Sequence, residues 1–299
     1  MTKRLFSMAG LLGCMALLLI CSEQAAQAVR TALTLCVQSV IPALFPFFVL
    51  SSLFVSLGYA ELIGGAFSPL TRRLFRCSDA GAAAFFLGLI GGYPVGGRAV
   101  GALYRSGRCT AAEAEHLLSF CNNAGPAFIL GVVGAGCFHD PRCGVWLWGI
   151  HVLAAVLVGC LPHRINPDAH PSLASPRADF PSAFVQAVGD GALAMLQLCG
   201  FVAFFLVILQ LLTSLTGISH PLIIGAIELT GGILRLPPTR QGFVYAAALL
   251  GWGGLSVHCQ TAAVLGGTGL SMRRCLAGKL VQAILSAILA IPVSMLLFP

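Results

Sequence analysis

The chain has 299 residues, 58% of them hydrophobic and only 9% charged, with a formal net charge of +7. A soluble domain carries about a quarter charged residues, so this chain cannot cover a water-facing surface, and a lipid bilayer is the solvent that fits. The basic excess does not point to nucleic acid, because the Lys and Arg residues form no stripe interleaved with aromatics; surplus cations on the cytoplasmic loops of a membrane protein give the same charge.

Lys3 and Arg4 precede an apolar run from Leu5 to Cys21, and Ala26-Gln27-Ala28 follows. The run is read as an uncleaved first helix, with a cleaved signal peptide as the alternative. Residues 31–57 predict a second span, kinked by Pro42 and Pro46. Residues 60–76 carry Glu61, Gly64, Gly65 and Pro69 before the cluster Arg72, Arg73 and Arg76. That pattern predicts a helix lying at the cytoplasmic interface.

Residues 82–104 are apolar but are broken at Gly91-Gly92-Tyr93-Pro94-Val95-Gly96-Gly97. Roughly ten residues on either side give about 15 Å of helix against a hydrocarbon core of ~30 Å, so the segment predicts a re-entrant hairpin. Non-helical backbone at membrane depth survives only when it is buried in protein or lines a polar cavity. Thr110, with Glu113 three residues on, predicts a capping box opening a span over 111–138. That span is interrupted at Asn122-Asn123-Ala124-Gly125-Pro126, and Glu113 and Glu115 both read as acids favoured at a helix start. Residues 143–162 read as an ordinary span. Residues 163–182, with Pro167, Pro171, Pro176 and Pro181, form a cytoplasmic linker.

Beyond the linker, 184–216 is a long span and 219–236 resembles the earlier interfacial segment. Residues 242–268 are broken at Gly253-Gly254-Leu255-Ser256-Val257-His258, read as a second hairpin, and 272–298 is the last span. The two halves repeat one another. Glu61-Leu62-Ile63-Gly64-Gly65 matches Glu228-Leu229-Thr230-Gly231-Gly232; Ile90-Gly91-Gly92 matches Trp252-Gly253-Gly254; Arg108-Cys109 matches Arg274-Cys275. Three crossings lie between the breaks, which would put the hairpins on opposite faces and invert the repeats. On this count both termini are cytoplasmic. Arg72, Arg73, Arg76, Arg105, Arg108, Arg164 and Arg177 would then lie inside, and Arg30, Arg142, Arg235, Arg240, Arg273 and Arg274 outside.

The domain reading is therefore an N-terminal helix or signal-like segment (1–30), a first repeat (31–162), the linker (163–182) and a second repeat (183–299). The fold class is an all-α polytopic membrane protein with two inverted-topology repeats.

Several of these motifs resemble a known family. Ile41-Pro42-Ala43-Leu44-Phe45-Pro46-Phe47-Phe48, Gly91 to Gly97, and Leu118-Ser119-Phe120-Cys121-Asn122-Asn123 are similar to stretches of the YlbJ-type sporulation integral membrane proteins, within the nucleoside-recognition or Gate group. Glu228 to Gly232 and Gly253 to His258 look like that family's second half. The resemblance implies a fold similar to concentrative nucleoside transporters. It also implies a role in spore-forming bacteria, in which such proteins are associated with moving dipicolinic acid toward the forespore. The group name does not by itself make nucleosides the substrate.

Ionisable groups at membrane depth are costly and so are functional candidates. Arg98, ending the first break, has the geometry to clamp a carboxylate. Backbone N–H groups freed at Gly91, Gly92, Gly96 and Gly97 surround a half-helix N-terminus that attracts anions, beside Tyr93 and Pro94 of the expected substrate site. His258 in the second break can bind an anion or relay a proton. Gly253, Gly254, Ser256, Gln260, Asn122, Asn123, Glu228 and Thr230 complete the expected substrate site. Lys279 reads as a snorkelling residue, His151 as a satisfied core histidine, and Asp190 as interfacial.

No nucleotide-binding loop, hydrolase motif or CxxC metal signature occurs. The expectation is a non-enzymatic secondary transporter of a small anion in the cell membrane, without cofactor or metal, whose coupling ion (Na+ or H+) is open. The resemblance implies dipicolinate as the anion. A nucleoside or nucleobase transporter using Asn122, Asn123, Glu228 and Gln260 is the alternative. A non-transporting scaffold with sporulation partners is another. A homo-oligomer is compatible with each.

Overall fold

The computed structural model describes residues 2–161 and 179–298, so the linker expected at 163–182 lies almost wholly outside the described residues, Arg164 and Arg177 with it. Among the described residues the only regular structure is helical. Four helical stretches are long and apolar enough to cross a membrane: Pro141–Gly159, Phe180–Thr216, Arg240–Val264 and Arg273–Leu297.

The chain opens with α1 (Thr2–Ile20), set at 89° to α2 (Ser22–Leu35). A π-type turn at Cys36–Val40 joins α2 to α3 (Ile41–Ser56), and Pro46 is accommodated inside α3. The α2–α3 column runs antiparallel along α9 (Phe180–Thr216). Ala32, Cys36, Val40 and Phe48 interdigitate there with Ala194, Leu198, Val202 and Leu209. Small residues set the approach: a Cβ on Gly191 would stand 3.0 Å from Val49.

Helix α4 (Tyr59–Phe75) does not lie flat as the sequence suggested. It packs antiparallel along α5 (Asp79–Gly91), with Phe67 on Phe86 at 4.6 Å between ring centroids and Arg72 on Asp79 at 2.6 Å. Part of its apolar surface stays open: Leu62 is 59% exposed and Phe67 43%. After a three-residue break, α6 (Val95–Arg105) folds back against α5. The first break is therefore a helical hairpin, as expected.

Helix α7 (Ala111–Cys121) is capped by Thr110, which accepts from Glu113 N at 3.2 Å. Neither acid completes the expected box. Glu113 accepts instead from Ser78 N at 2.7 Å, tying α7 to the start of α5. Glu115 accepts from Ser271 N at 3.0 Å and pairs with Arg274 at 4.0 Å. A second π-type segment, Ala127–Cys137, follows the break and packs on α8 (Pro141–Gly159). Asp140 caps α8, and the Arg142 guanidinium hydrogen-bonded to it holds its carboxyl below the usual carboxylate range.

In the second half, α10 (Pro221–Ile227) and α11 (Leu229–Ile233) meet at Glu228. Then α12 (Arg240–Trp252) and α13 (Gly254–Val264) follow one another across Gly253 without folding back. Arg240, opening α12, donates to the Phe298 carbonyl. At the far end Arg105 reaches the Val264 carbonyl at 3.4 Å. The expected second hairpin is thus a complete, broken crossing. Helix α14 (Arg273–Leu297) returns from the Arg105 end to the Phe298 end, parallel to α7 and antiparallel to α12.

This crossing changes the expected topology. Arg273 and Arg274 lie at the same end as Arg72, Arg105 and Arg108, while Arg142, Arg235, Arg240 and the C-terminal Phe298 lie at the other. Arg274 thus stands at the same end as Arg108, the residue it was matched with, and not at the opposite end that the inverted reading required.

Candidate functional site

Backbone breaks in four elements converge in the middle of the molecule. Gly92, at φ +74°, ends α5, and Gly253 and Gly254, at φ +87° and +83°, separate α12 from α13. These are left-handed conformations that glycine adopts at no steric cost. Asn122 ends α7 with extended backbone, and Glu228 does the same between α10 and α11.

Contacts too close for a side chain hold the breaks together. A Cβ on Gly88 would stand 1.6 Å from the Cys121 carbonyl oxygen, and one on Gly96 2.1 Å from it. Both arms of the α5–α6 hairpin therefore grip the last carbonyl of α7. Gly92 lies close to Gly125, where an added Cβ would meet the backbone nitrogen at 2.8 Å. The Tyr93 hydroxyl donates to the Leu250 carbonyl at 3.3 Å, in the last turn of α12. The Tyr93–Pro94 peptide bond is cis.

Asn122 is the polar bolt of this junction. Its Oδ1 accepts from Gly97 N at 3.1 Å, and its Nδ2 donates to Thr261 Oγ1 at 2.7 Å, joining α6 to α13. Glu228 is 2% exposed and accepts from Thr230 N at 3.1 Å and Gly231 N at 2.6 Å. Its carboxylate therefore satisfies the backbone donors its own break sets free.

A narrow cleft of about 50 Å3 opens among these breaks. Its polar wall is Gly91, Gly92, Tyr93, Gly125, Glu228, Thr230, Ser256 and Gln260, and its apolar wall includes Val40, Leu44, Leu198 and Val202. Gln260 donates to Ser256 Oγ at 3.4 Å and leaves its own Oε1 without a protein partner. That oxygen and the Glu228 carboxylate, which takes up the backbone N–H groups of its own break, are side-chain acceptors beside the cleft. No Lys, Arg or His lines it.

The other expected site residues lie elsewhere. Pro94 and Arg98 line a second cleft of about 210 Å3, with Ser52, Ser56 and Asp190, between α3, α6 and α9. The hairpin tip separates the two, with Gly92 and Tyr93 facing one and Pro94 and Val95 the other. Since α6 runs from the tip toward Arg105, the Arg98 cleft lies on the arginine-rich side. His258 packs edge-on against Trp252 at 4.5 Å between ring centroids and lines neither cleft. The expected pairing of Arg98 and His258 in one midplane site is therefore not formed. Gly97, Gly253 and Gly254 serve close approach: added Cβ atoms there would meet Thr261 at 3.1 Å, Tyr93 at 2.9 Å and Leu229 N at 3.0 Å.

Asn123 turns away from the cleft into a buried network. Its Oδ1 accepts from Lys279 Nζ at 3.2 Å and from Gln282 Nε2 at 3.1 Å, and Lys279 also donates to Gln282 Oε1 at 2.8 Å. Lys279 is 0% exposed, so it does not snorkel as expected. Its sequence signal was a polar stripe at helical spacing on an apolar helix: Lys279, Gln282 and Ser286. His151 is a core histidine as expected but only half satisfied: its Nε2 accepts from Ala124 N at 3.1 Å, while its buried Nδ1 has no partner among the described residues.

Residues 37–139 match the family model Gate, described as nucleoside recognition. The chain is 26% identical over 308 aligned residues to the Sporulation integral membrane protein YlbJ of Bacillus subtilis (strain 168), an alignment spanning 88% of this chain and 76% of that protein. No solved structure matches. The resemblance read from Ile41–Phe48, Gly91–Gly97 and Leu118–Asn123 is borne out, and those three stretches lie inside the matched segment. The breaks at Gly92 and Asn122 lie within it; those at Glu228 and Gly253 lie beyond it.

Proposed function

We propose that this integral membrane protein is a secondary transporter for a small uncharged solute rich in hydrogen-bond donors, nucleobase- or nucleoside-like in chemistry, held in the cleft where the breaks meet. One observation carries the reading: the cleft wall offers acceptors, the unpartnered Gln260 Oε1 and the Glu228 carboxylate, and no cation. A dicarboxylate placed there would face Glu228 with nothing to neutralise it, at a cost of several kcal/mol for an unpaired charge. The Gate model's description agrees with this class. The arginine-rich end is taken as cytoplasmic, by the excess of cations on that side. The Arg98 cleft then faces the cytoplasm, and the hairpin tip divides it from the central one.

A second reading keeps the anion. Arg98 lies in the larger cleft, and a carboxylate such as dipicolinate is the solute a guanidinium would hold there. Asp190 in the same cleft weighs against a dianion.

Purified protein in liposomes separates the two. Uridine should exchange across the membrane. Gln260→Leu and Ser256→Ala should each slow it about tenfold or more, as expected when a polar group on the solute loses its partner at roughly 1–3 kcal/mol. Arg98→Ala should leave uridine exchange intact. Dipicolinate flux that Arg98→Ala abolishes, with uridine immobile, would establish the second reading instead.

A further inference from the structure

Lys279 is the one Lys or Arg among the described residues with no exposed surface. It lies within α14, one turn before Gln282, in the interior of a bundle that spans the membrane. No carboxylate pairs with it among the described residues. Its hydrogen-bond partners are two amide oxygens, Asn123 Oδ1 and Gln282 Oε1. Its remaining neighbour is the ring of Tyr93, whose centroid is 5.5 Å from Nζ. The other titratable groups facing it are Cys121 of α7, His151 of α8, His258 of α13 and Cys275 on its own helix. None of these is a carboxylate.

A permanent charge enclosed this way is among the most expensive things a membrane protein can hold. A carboxylate partner would neutralise it and fix it as an ammonium. Amide partners do neither. Asn123 Nδ2 is held by the Phe120 carbonyl and Gln282 Nε2 by Asn123 Oδ1 and the His151 carbonyl, so both amide oxygens stay turned to Nζ; a neutral amine keeps two N–H groups for them, and the ammonium and the amine are accommodated alike.

The choice of cation points the same way. The chain has 17 basic residues, and Lys3 and Lys279 are its two lysines; arginine supplies every other one. Arginine keeps its proton under all ordinary conditions, whereas a buried lysine can release it. The chain uses arginine at its ends and puts lysine at the enclosed cationic position.

Position completes the case. Tyr93 stands between Lys279 and the central cleft: its ring faces Nζ, it lines the cleft, and its hydroxyl is held by the Leu250 carbonyl. Asn123 adjoins Asn122, which fastens the hairpin to α13. A displacement of the hairpin tip that opens the cleft would therefore uncover Lys279 and loosen its amide partner together.

We propose that Lys279 is the proton carrier of this transporter, linking solute movement to a proton gradient, an inference that rests on the transport reading above. With the tip displaced, the ammonium releases one proton to water in the cleft and becomes an amine. With access from the opposite side, the amine's lone pair takes one proton back. One proton crosses per cycle, and no other bond changes.

The test uses the full chain in liposomes with uridine as probe and dipicolinate run in parallel. Two readouts are taken in the same vesicles: exchange across the membrane without a gradient, and accumulation driven by an imposed difference of one pH unit. For one proton per solute, the wild type should accumulate uridine up to roughly tenfold. Lys279→Met and Lys279→Gln should abolish accumulation while exchange persists, which also certifies that the variants fold. Lys279→Arg should fail in the same way, since arginine supplies the charge but not the proton. Accumulation restored by arginine would overturn the proposal in favour of a fixed charge. Accumulation undiminished in Lys279→Met would overturn it outright. Loss of exchange in both neutral variants would reassign Lys279 to structure. Absence of exchange of either probe in the wild type would instead sink the transport reading, and this inference with it.

Discussion

Gly88 and Gly96 press the two arms of the hairpin onto a single carbonyl, that of Cys121, at distances where no side chain fits. Over-packing of this kind costs typically 1–3 kcal/mol and more when the obstacle is backbone. Gly96→Ala should therefore lower the melting temperature in detergent by several degrees and impair uridine exchange. Gly149, on α8 with nothing within 4 Å of its Cβ position, is the internal control. Gly149→Ala should leave stability unchanged or raise it by up to about 1 kcal/mol. Asn122 makes a different contribution. Its loss in Asn122→Ala strands the buried Gly97 N–H, costing about 1–3 kcal/mol, which thermal unfolding of the purified protein would register. Residue identity made Asn122 visible in the sequence, since two asparagines in an apolar run demand a reason. Its partners were not visible, because Gly97 and Thr261 reach it from distant parts of the chain. The same holds for Lys279. Position on an apolar helix suggested snorkelling, and only the fold encloses it.

The two Gly-Gly breaks look alike in sequence and differ in the folded chain. Each has flanks of half-span length, so length alone makes both hairpins. Packing decides otherwise. Shifted by the 162 residues that align the breaks, Gly88 corresponds to Leu250 and Gly96 to His258. A returning arm in the second half would have to seat a leucine and an imidazole where the first half seats two glycines against backbone. Instead α13 continues onward, held by Thr261 on Asn122 and by the Arg105 contact to Val264. Cysteines introduced at Ser106 and Thr268 in a cysteine-free background should accordingly react with an impermeant maleimide from the same side of the membrane. Thr268 labelled from the side of Thr239 instead would restore the hairpin. The interfacial reading of 60–76 went astray for a related reason. An arginine-ended amphipathic helix suits lipid headgroups and a neighbouring helix equally, and only the partner, α5, distinguishes them.

Across the whole molecule, the columns α2–α3 and α9 form a wall shared by two clefts, and the hairpin tip projects between them. Composition pointed to the solvent, and the motifs pointed to the relatives that the chain resembles. Helix spacing located the breaks at Gly92, Asn122 and Gly253, all of which meet at the central site. The chemistry of that site was less legible. Arg98 and His258 stood out as the ionisable groups beside the breaks, yet a half-turn of α6 and a neighbouring Trp252 turn them away from the cleft that the breaks enclose. What remains there is Tyr93, Glu228, Thr230, Ser256 and Gln260, a wall of hydrogen-bonding groups without a cation. The most direct test is an electron cryomicroscopy map of the protein in lipid nanodiscs with saturating uridine. The account predicts solute density bounded by Tyr93, Glu228 and Gln260, within hydrogen-bond distance of Gln260 Oε1. Density beside Arg98 and Asp190, with the central cleft empty, would contradict it.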